Sequence, residues 1–302
     1  MDSSQISSII SSTINEMFYK IFSSIDNSIY SVLDDFTFIG TDILSDKYFS
    51  NLFGSSSKSG ILLIANALVF GYLLYYSFKL ILSHMGVTQV ERPAQFILKL
   101  IIYTLCMNFS LFICEEMIYL ISLISISIRQ VGENLYNTQI CFSELITELN
   151  SVISIGDSLE IFSLDGIIKS IISVGLLNLV ITYAVRFVLI KVFVLLSPFA
   201  ILSLCNKGTS ILFKSWFKSF ISLMLVQVFV AIILLLIFSL DFDSNNTFSK
   251  FILIGAIFIL IKANSYVREM LGGIGSDVGM GMTNLKGMMM KWFKIFNRKE
   301  NM

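Results

Sequence analysis

The sequence predicts an all-α, polytopic membrane protein with about five transmembrane helices, and three observations predict it. Hydrophobic residues fill 55% of its 302 positions, above the ~45–50% usual for soluble domains. Only 14% of residues are charged and mean hydropathy is +0.82, more apolar surface than a soluble core can hide. The apolar runs are continuous and about 20 residues long, which is the length of a helix crossing a bilayer core. They lack the alternating polarity that a membrane barrel needs.

Residues 1–60 are read as an amphipathic, helical, extracytoplasmic region. Ile6, Ile10, Ile14, Met17, Ile21, Ile25, Ile29, Val32 and Phe36 recur at spacings of three and four, with Ser, Asn and Asp on the opposite face. Such a stripe packs on a partner helix or lies in the membrane interface. The start, MDSSQISSIISST, has no basic n-region and no compact apolar run. It is not read as a secretory signal, and the first span is expected to serve as the insertion signal. FGSSSKSG at 53–60 reads as a flexible linker.

A five-span membrane domain is expected over 61–267. The first span is Ile61–Leu82. After a short loop, Pro93 prepares a second helix, whose apolar run goes from Phe96 to Cys114. Glu115 and Glu116 then either end that helix or interrupt one long helix. The connection 129–166 is acidic, with Glu133, Glu144, Glu148, Asp157, Glu160 and Asp165 against Arg129. The run 167–205 is too long for one ordinary span. It is read as one span, Ile167–Leu189, followed by a shorter apolar segment broken by Pro198. The fourth and fifth spans are Phe220–Leu240 and Phe248–Val267. Residues 268–302 form a basic tail, with a Gly-rich hinge at 272–281 and a Trp- and Met-bearing helix that suits an anionic membrane surface.

Net charge is zero, with 21 basic and 21 acidic residues, so charge placement is what informs. Arg92 lies in the first short loop, flanked by Lys79 and Lys99. Lys207, Lys214 and Lys218 lie in the 205–219 loop, and Lys262, Arg268, Lys286, Lys291, Lys294, Arg298 and Lys299 cluster towards the C-terminus. These regions are expected to be cytoplasmic by the positive-inside rule. The N-terminal region, 129–166 and 241–247 are expected outside. The two sets alternate only with five spans, which sets the N-terminus outside and the C-terminus in the cytoplasm.

The residue types exclude several chemistries. No HExxH, GxSxG or P-loop pattern is present, and His84 is the only histidine. No catalytic residue, cofactor or metal site is therefore expected. Cys106, Cys114, Cys141 and Cys205 are scattered and read as small apolar side chains. Glu115 and Glu116 read as the polar boundary of a helix or as the lining of a conduit. Arg186 and Lys191 read as side chains snorkelling to lipid headgroups, or as contacts for an anionic substrate or a partner subunit.

One pattern runs through these segments. The third span passes Arg186 and Lys191 into Leu196-Ser197-Pro198-Phe199. Phe213-Lys214-Ser215-Trp216-Phe217-Lys218-Ser219-Phe220 follows and leads to Gln227-Val228-Phe229. With its topology, the chain over 1–270 resembles the TrbL-like polytopic inner-membrane subunits of type IV secretion and conjugation systems. The resemblance implies a non-enzymatic conduit subunit in a bacterial cytoplasmic membrane. It implies a homo-oligomer in contact with membrane lipid and with other secretion subunits, including separate ATPases, and indirect or transient contact with single-stranded DNA. The resemblance carries over no fixed site motif; the chain's own candidate conduit or assembly residues are Glu115, Glu116, Arg186, Lys191, Pro198 and Gln227. The alternative is a self-contained transporter or channel for a small solute, against which stands the lack of an internal repeat. A membrane-bound enzyme would need a polar constellation within its spans, and none is visible in the sequence.

Overall fold

In the computed structural model, the described residues are Thr13, 32–54, 60–86, 91–152, 164–206, 208–240 and 247–271. The early part of the N-terminal stripe, the 241–246 linker, the Gly-rich hinge and the basic tail after 271 lie outside them. All regular structure among the described residues is helical. A helical segment at 32–37 leads through a 3-10 turn, Thr41–Leu44, into α1 (Lys47–Phe53). Then come α2 (Ile61–His84), α3 (Pro93–Asn108), α4 (Ser110–Tyr136), α5 (Phe142–Val152), α6 (Leu164–Leu202), α7 (Ser210–Phe238) and α8 (Thr247–Met270).

Among the described residues, five helices are long and apolar enough to cross a membrane: α2, α4, α6, α7 and α8. Burial separates their roles. In α7, 56% of the most apolar window is buried inside the protein, against 6% in α2. α7 is thus the central post, while α2 presents Leu63, Phe70, Leu74 and Phe78 outward.

Small residues and single polar bonds fix the helix pairs. A Cβ on Gly132 of α4 would stand 2.6 Å from Leu235 Cδ1 of α7, so the two helices meet closely there. A Cβ on Gly175 of α6 would stand 2.8 Å from Ile257 of α8. Trp216 donates its indole N–H to the Phe193 carbonyl at 2.8 Å, and Tyr183 its hydroxyl to the Leu260 carbonyl at 3.0 Å. α2 and α3 form a hairpin. Asn66 and Asn108 exchange hydrogen bonds at 3.3 Å. The Tyr76 ring stacks on Phe96 at 3.8 Å and its hydroxyl donates to the Glu91 carbonyl. Lys99 pairs with the Glu91 carboxylate at 2.6 Å.

Four boundaries differ from the sequence reading, and the first is the fourth span, where α7 already begins at Ser210 rather than Phe220 and takes in Lys214 and Lys218. The second apolar run divides at Phe109, and its membrane-length helix is Ser110–Tyr136 rather than 96–114. Asn108 supplies a cause, because its amide donates to the Thr104 carbonyl at 2.8 Å and competes with the backbone ladder. Residues 129–136 complete α4, and α5 occupies part of the acidic connection. Pro198 lies inside α6 and does not end it. At 39 residues, α6 is about 58 Å long at the α-helical rise, well beyond a bilayer core.

Local chemistry explains how α6 passes through Pro198. Proline has no N–H for the carbonyl of residue 194. The Ser197 hydroxyl donates to that Val194 carbonyl instead, at 2.7 Å, and Ser197 is fully buried. Ser197→Ala is therefore expected to strand a buried carbonyl and cost about 1–3 kcal/mol. Thermal unfolding in detergent measures the loss, and an unchanged midpoint would refute the compensation.

Candidate functional site

The candidate site is the place where the chain's early segment enters the bundle. Residues 32–46 form a strap across α4, α6 and α7. Leu33, Thr37, Ile39, Ile43 and Leu44 are buried. The strap begins as helix and stops being helical after Thr37, just before Gly40. A helix end leaves carbonyl and amide groups unpaired, and buried ones need partners.

Arg186 and Gln227 supply them. The Arg186 guanidinium is fully buried. Its Nε donates to the Leu223 carbonyl of α7 at 2.7 Å and its Nη1 to the Thr37 carbonyl of the strap at 2.9 Å. Two residues along, the Ile39 N–H donates to Gln227 Oε1 at 3.0 Å. Ser125 of α4 donates to the Gln227 carbonyl at 3.4 Å, and the Thr37 hydroxyl donates to the Leu33 carbonyl at 2.7 Å. Arg186 Nη2 and Gln227 Nε2 stay buried without a hydrogen-bond partner.

Two further cations lie on aromatic rings in and beside the strap. The Arg129 guanidinium of α4 lies 4.4 Å from the centre of Phe38. Lys191 Nζ lies 5.8 Å from the ring of Phe49 and 5.2 Å from that of Phe187, on which Phe36 also packs at 5.4 Å. Cation–ring contacts gain strength where water is excluded.

Asp34 ties the strap to α5. Its carboxylate accepts from Phe142 N at 2.8 Å, from Ser143 N at 3.1 Å and from the Ser143 hydroxyl at 2.8 Å. A negative charge there caps the helix start and meets the positive end of its dipole. Asp34→Ala is expected to loosen α5 by about 0.5–2 kcal/mol. Amide exchange at residues 142–146 reads it, and unchanged protection would refute the cap.

Burial, and then the charge of Glu144, holds the Glu148 carboxyl above its ordinary value. Over the pH interval just above that ordinary value, the folded form keeps a proton that the unfolded form has lost. Stability of the α5 region should therefore fall as pH rises through the folded value. Glu148→Gln should flatten this dependence of α5 amide exchange on pH; an unaltered slope would count against it. Cys141, at the start of α5, is likewise raised, mainly by burial.

The sequence-derived candidates divide. Arg186 and Gln227 come together on the strap, and Lys191 lies further along α6 against Phe49 of α1. Arg186 points inward onto backbone and does not snorkel. Pro198 is buried further along α6, beside its own compensating serine. Glu115, half-buried, and Glu116, exposed, lie in the second turn of α4 after the break at Phe109. Thr37, Phe38, Ile39, Ser125 and Arg129 were not among the candidates. The available signal was Gly40, which follows an apolar stripe as a helix-stop residue.

The fold defines a class: a multi-pass helical membrane protein whose buried polar side chains grip a stretch of main chain. No family model, no curated protein and no solved structure matches the chain.

Proposed function

We propose that the chain is a structural, conduit-forming subunit of a type IV secretion channel in a bacterial cytoplasmic membrane, acting by oligomeric assembly. The chain ahead of the strap faces outside and the basic tail the cytoplasm, the arrangement that the charge distribution favours. The supporting observation is how the buried polar groups are used. Arg186, Gln227 and Ser125 are each engaged with backbone, the role of groups that hold an architecture together. On this reading the partners are lipid, further copies of the chain, and separate secretion subunits that include the ATPases. Contact with single-stranded DNA is indirect or transient.

Purification of the full chain in mild detergent, with mass measurement, tests the proposal. The expected result is an oligomer that retains a secretion ATPase. A stable lone monomer that conducts a small solute in vesicles would overturn it in favour of a self-contained transporter.

A further inference from the structure

We infer that the exposed face of the strap, where it crosses the bundle, faces a water-filled lumen, whereas the outer faces of α2 and α8 meet lipid. The inference deepens the conduit reading and rests on it, by naming the wall along which the path runs.

Height comes first. Arg186 lies near the middle of the apolar stretch Ser170–Cys205, and Leu223 near the middle of Ser210–Phe238. One guanidinium bonds the Leu223 carbonyl and the Thr37 carbonyl, so the strap crosses at the mid-height of the two most apolar spans. The strap also stays near that height. Phe36 packs on Phe187, and Phe49 lies over Lys191, about one helical turn away on α6. Residues 37–48 therefore leave and return to nearly the same level.

Polarity comes second. Thr41, Asp42, Ser45 and Asp46 lie on this excursion, and all are exposed. Carboxylates and irregular backbone are costly against hydrocarbon and occur at membrane depth where they meet protein or a water-filled cavity. The contrast lies on α2 and α8, where Leu74 is 62% exposed and Phe258 55%. Such apolar surface belongs to lipid.

Cysteine accessibility tests this in native membranes. The four native cysteines are replaced by alanine in the full chain, and single cysteines are introduced as Thr41→Cys, Asp42→Cys and Ser45→Cys. Leu74→Cys and Phe258→Cys serve as lipid-facing controls. The probe is a charged, membrane-impermeant methanethiosulfonate, and an unchanged thermal midpoint certifies folding of each variant. The strap cysteines should react on the order of tenfold faster or more than the controls, because the reactive thiolate forms in water and not in lipid. Resistance of all three strap cysteines to the charged reagent would overturn the inference. Reactive strap cysteines in a lone, solute-conducting monomer would leave the hydrated strap standing and sink the secretion reading. Inert strap cysteines in an oligomer that retains the ATPase would do the reverse.

Discussion

Replacing Arg186 by methionine is expected to release the strap while the surrounding helices stay folded. Each hydrogen bond from a charged donor contributes about 1.5–3 kcal/mol. Arg186 makes one such bond to the strap and one to α7. Methionine keeps much of the side-chain bulk but supplies no donor, so the Thr37 carbonyl is left buried without its partner. A strap loosened by about 3 kcal/mol should exchange its amides roughly 100-fold faster. The bundle itself should lose little, because the substitution also removes a buried charge whose desolvation opposes folding. Hydrogen exchange over residues 33–44, read beside the thermal midpoint, separates the two effects. Arg186→Lys should fall between, since an ammonium is a point charge that cannot reproduce the two directed bonds of the guanidinium. Unchanged protection of residues 33–44 in Arg186→Met would defeat this account of the strap.

The second large effect is expected at Gly60. A Cβ there would stand 2.5 Å from Gly54 Cα and 2.7 Å from Gly54 N. Both are backbone atoms, so no side chain can turn aside to relieve the contact. Gly60→Ala should cost about 1–3 kcal/mol by overpacking and uncouple α1 from the start of α2. Gly71, within α2, is the control, since a Cβ there meets nothing within 4 Å. Gly71→Ala should be neutral or stabilising by up to about 1 kcal/mol, the helix-propensity gain over glycine. Equal thermal midpoints for the two variants would show that the close approach of Gly54 and Gly60 carries no weight. The same approach shows that the two ends of the expected 53–60 linker meet instead of spanning a gap.

Much of the architecture is legible in the sequence because lipid acts on long stretches. Residues 61–78 and 220–238 are uncharged apolar runs, and no distant partner is needed to make them span. Pro198 misleads for a local reason. Its helix-breaking tendency is offset by the hydroxyl of the residue before it, a bond that depends on one side-chain geometry. Arg186 misleads for a long-range reason. Snorkelling is the usual fate of a basic residue in an apolar run, and the carbonyls of Leu223 and Thr37, 37 and 149 positions away, turn it inward. The strap hides for the same reason. Its Asp34, Asp35 and Asp42 give it the composition of an exterior segment, and its burial is decided by side chains on α4, α6 and α7.

The distance in sequence between the strap and its holders also sets an order of biosynthesis. Ile39 waits for Gln227, a residue 188 positions later. At about 5–20 residues per second, the ribosome needs roughly 10–40 s to make that stretch. During that interval the strap has left the ribosome and its groove does not yet exist. A segment made early therefore docks late, after α7 has been inserted. Until then its aspartates and phenylalanines must be kept from wrong partners by the membrane surface or by a chaperone.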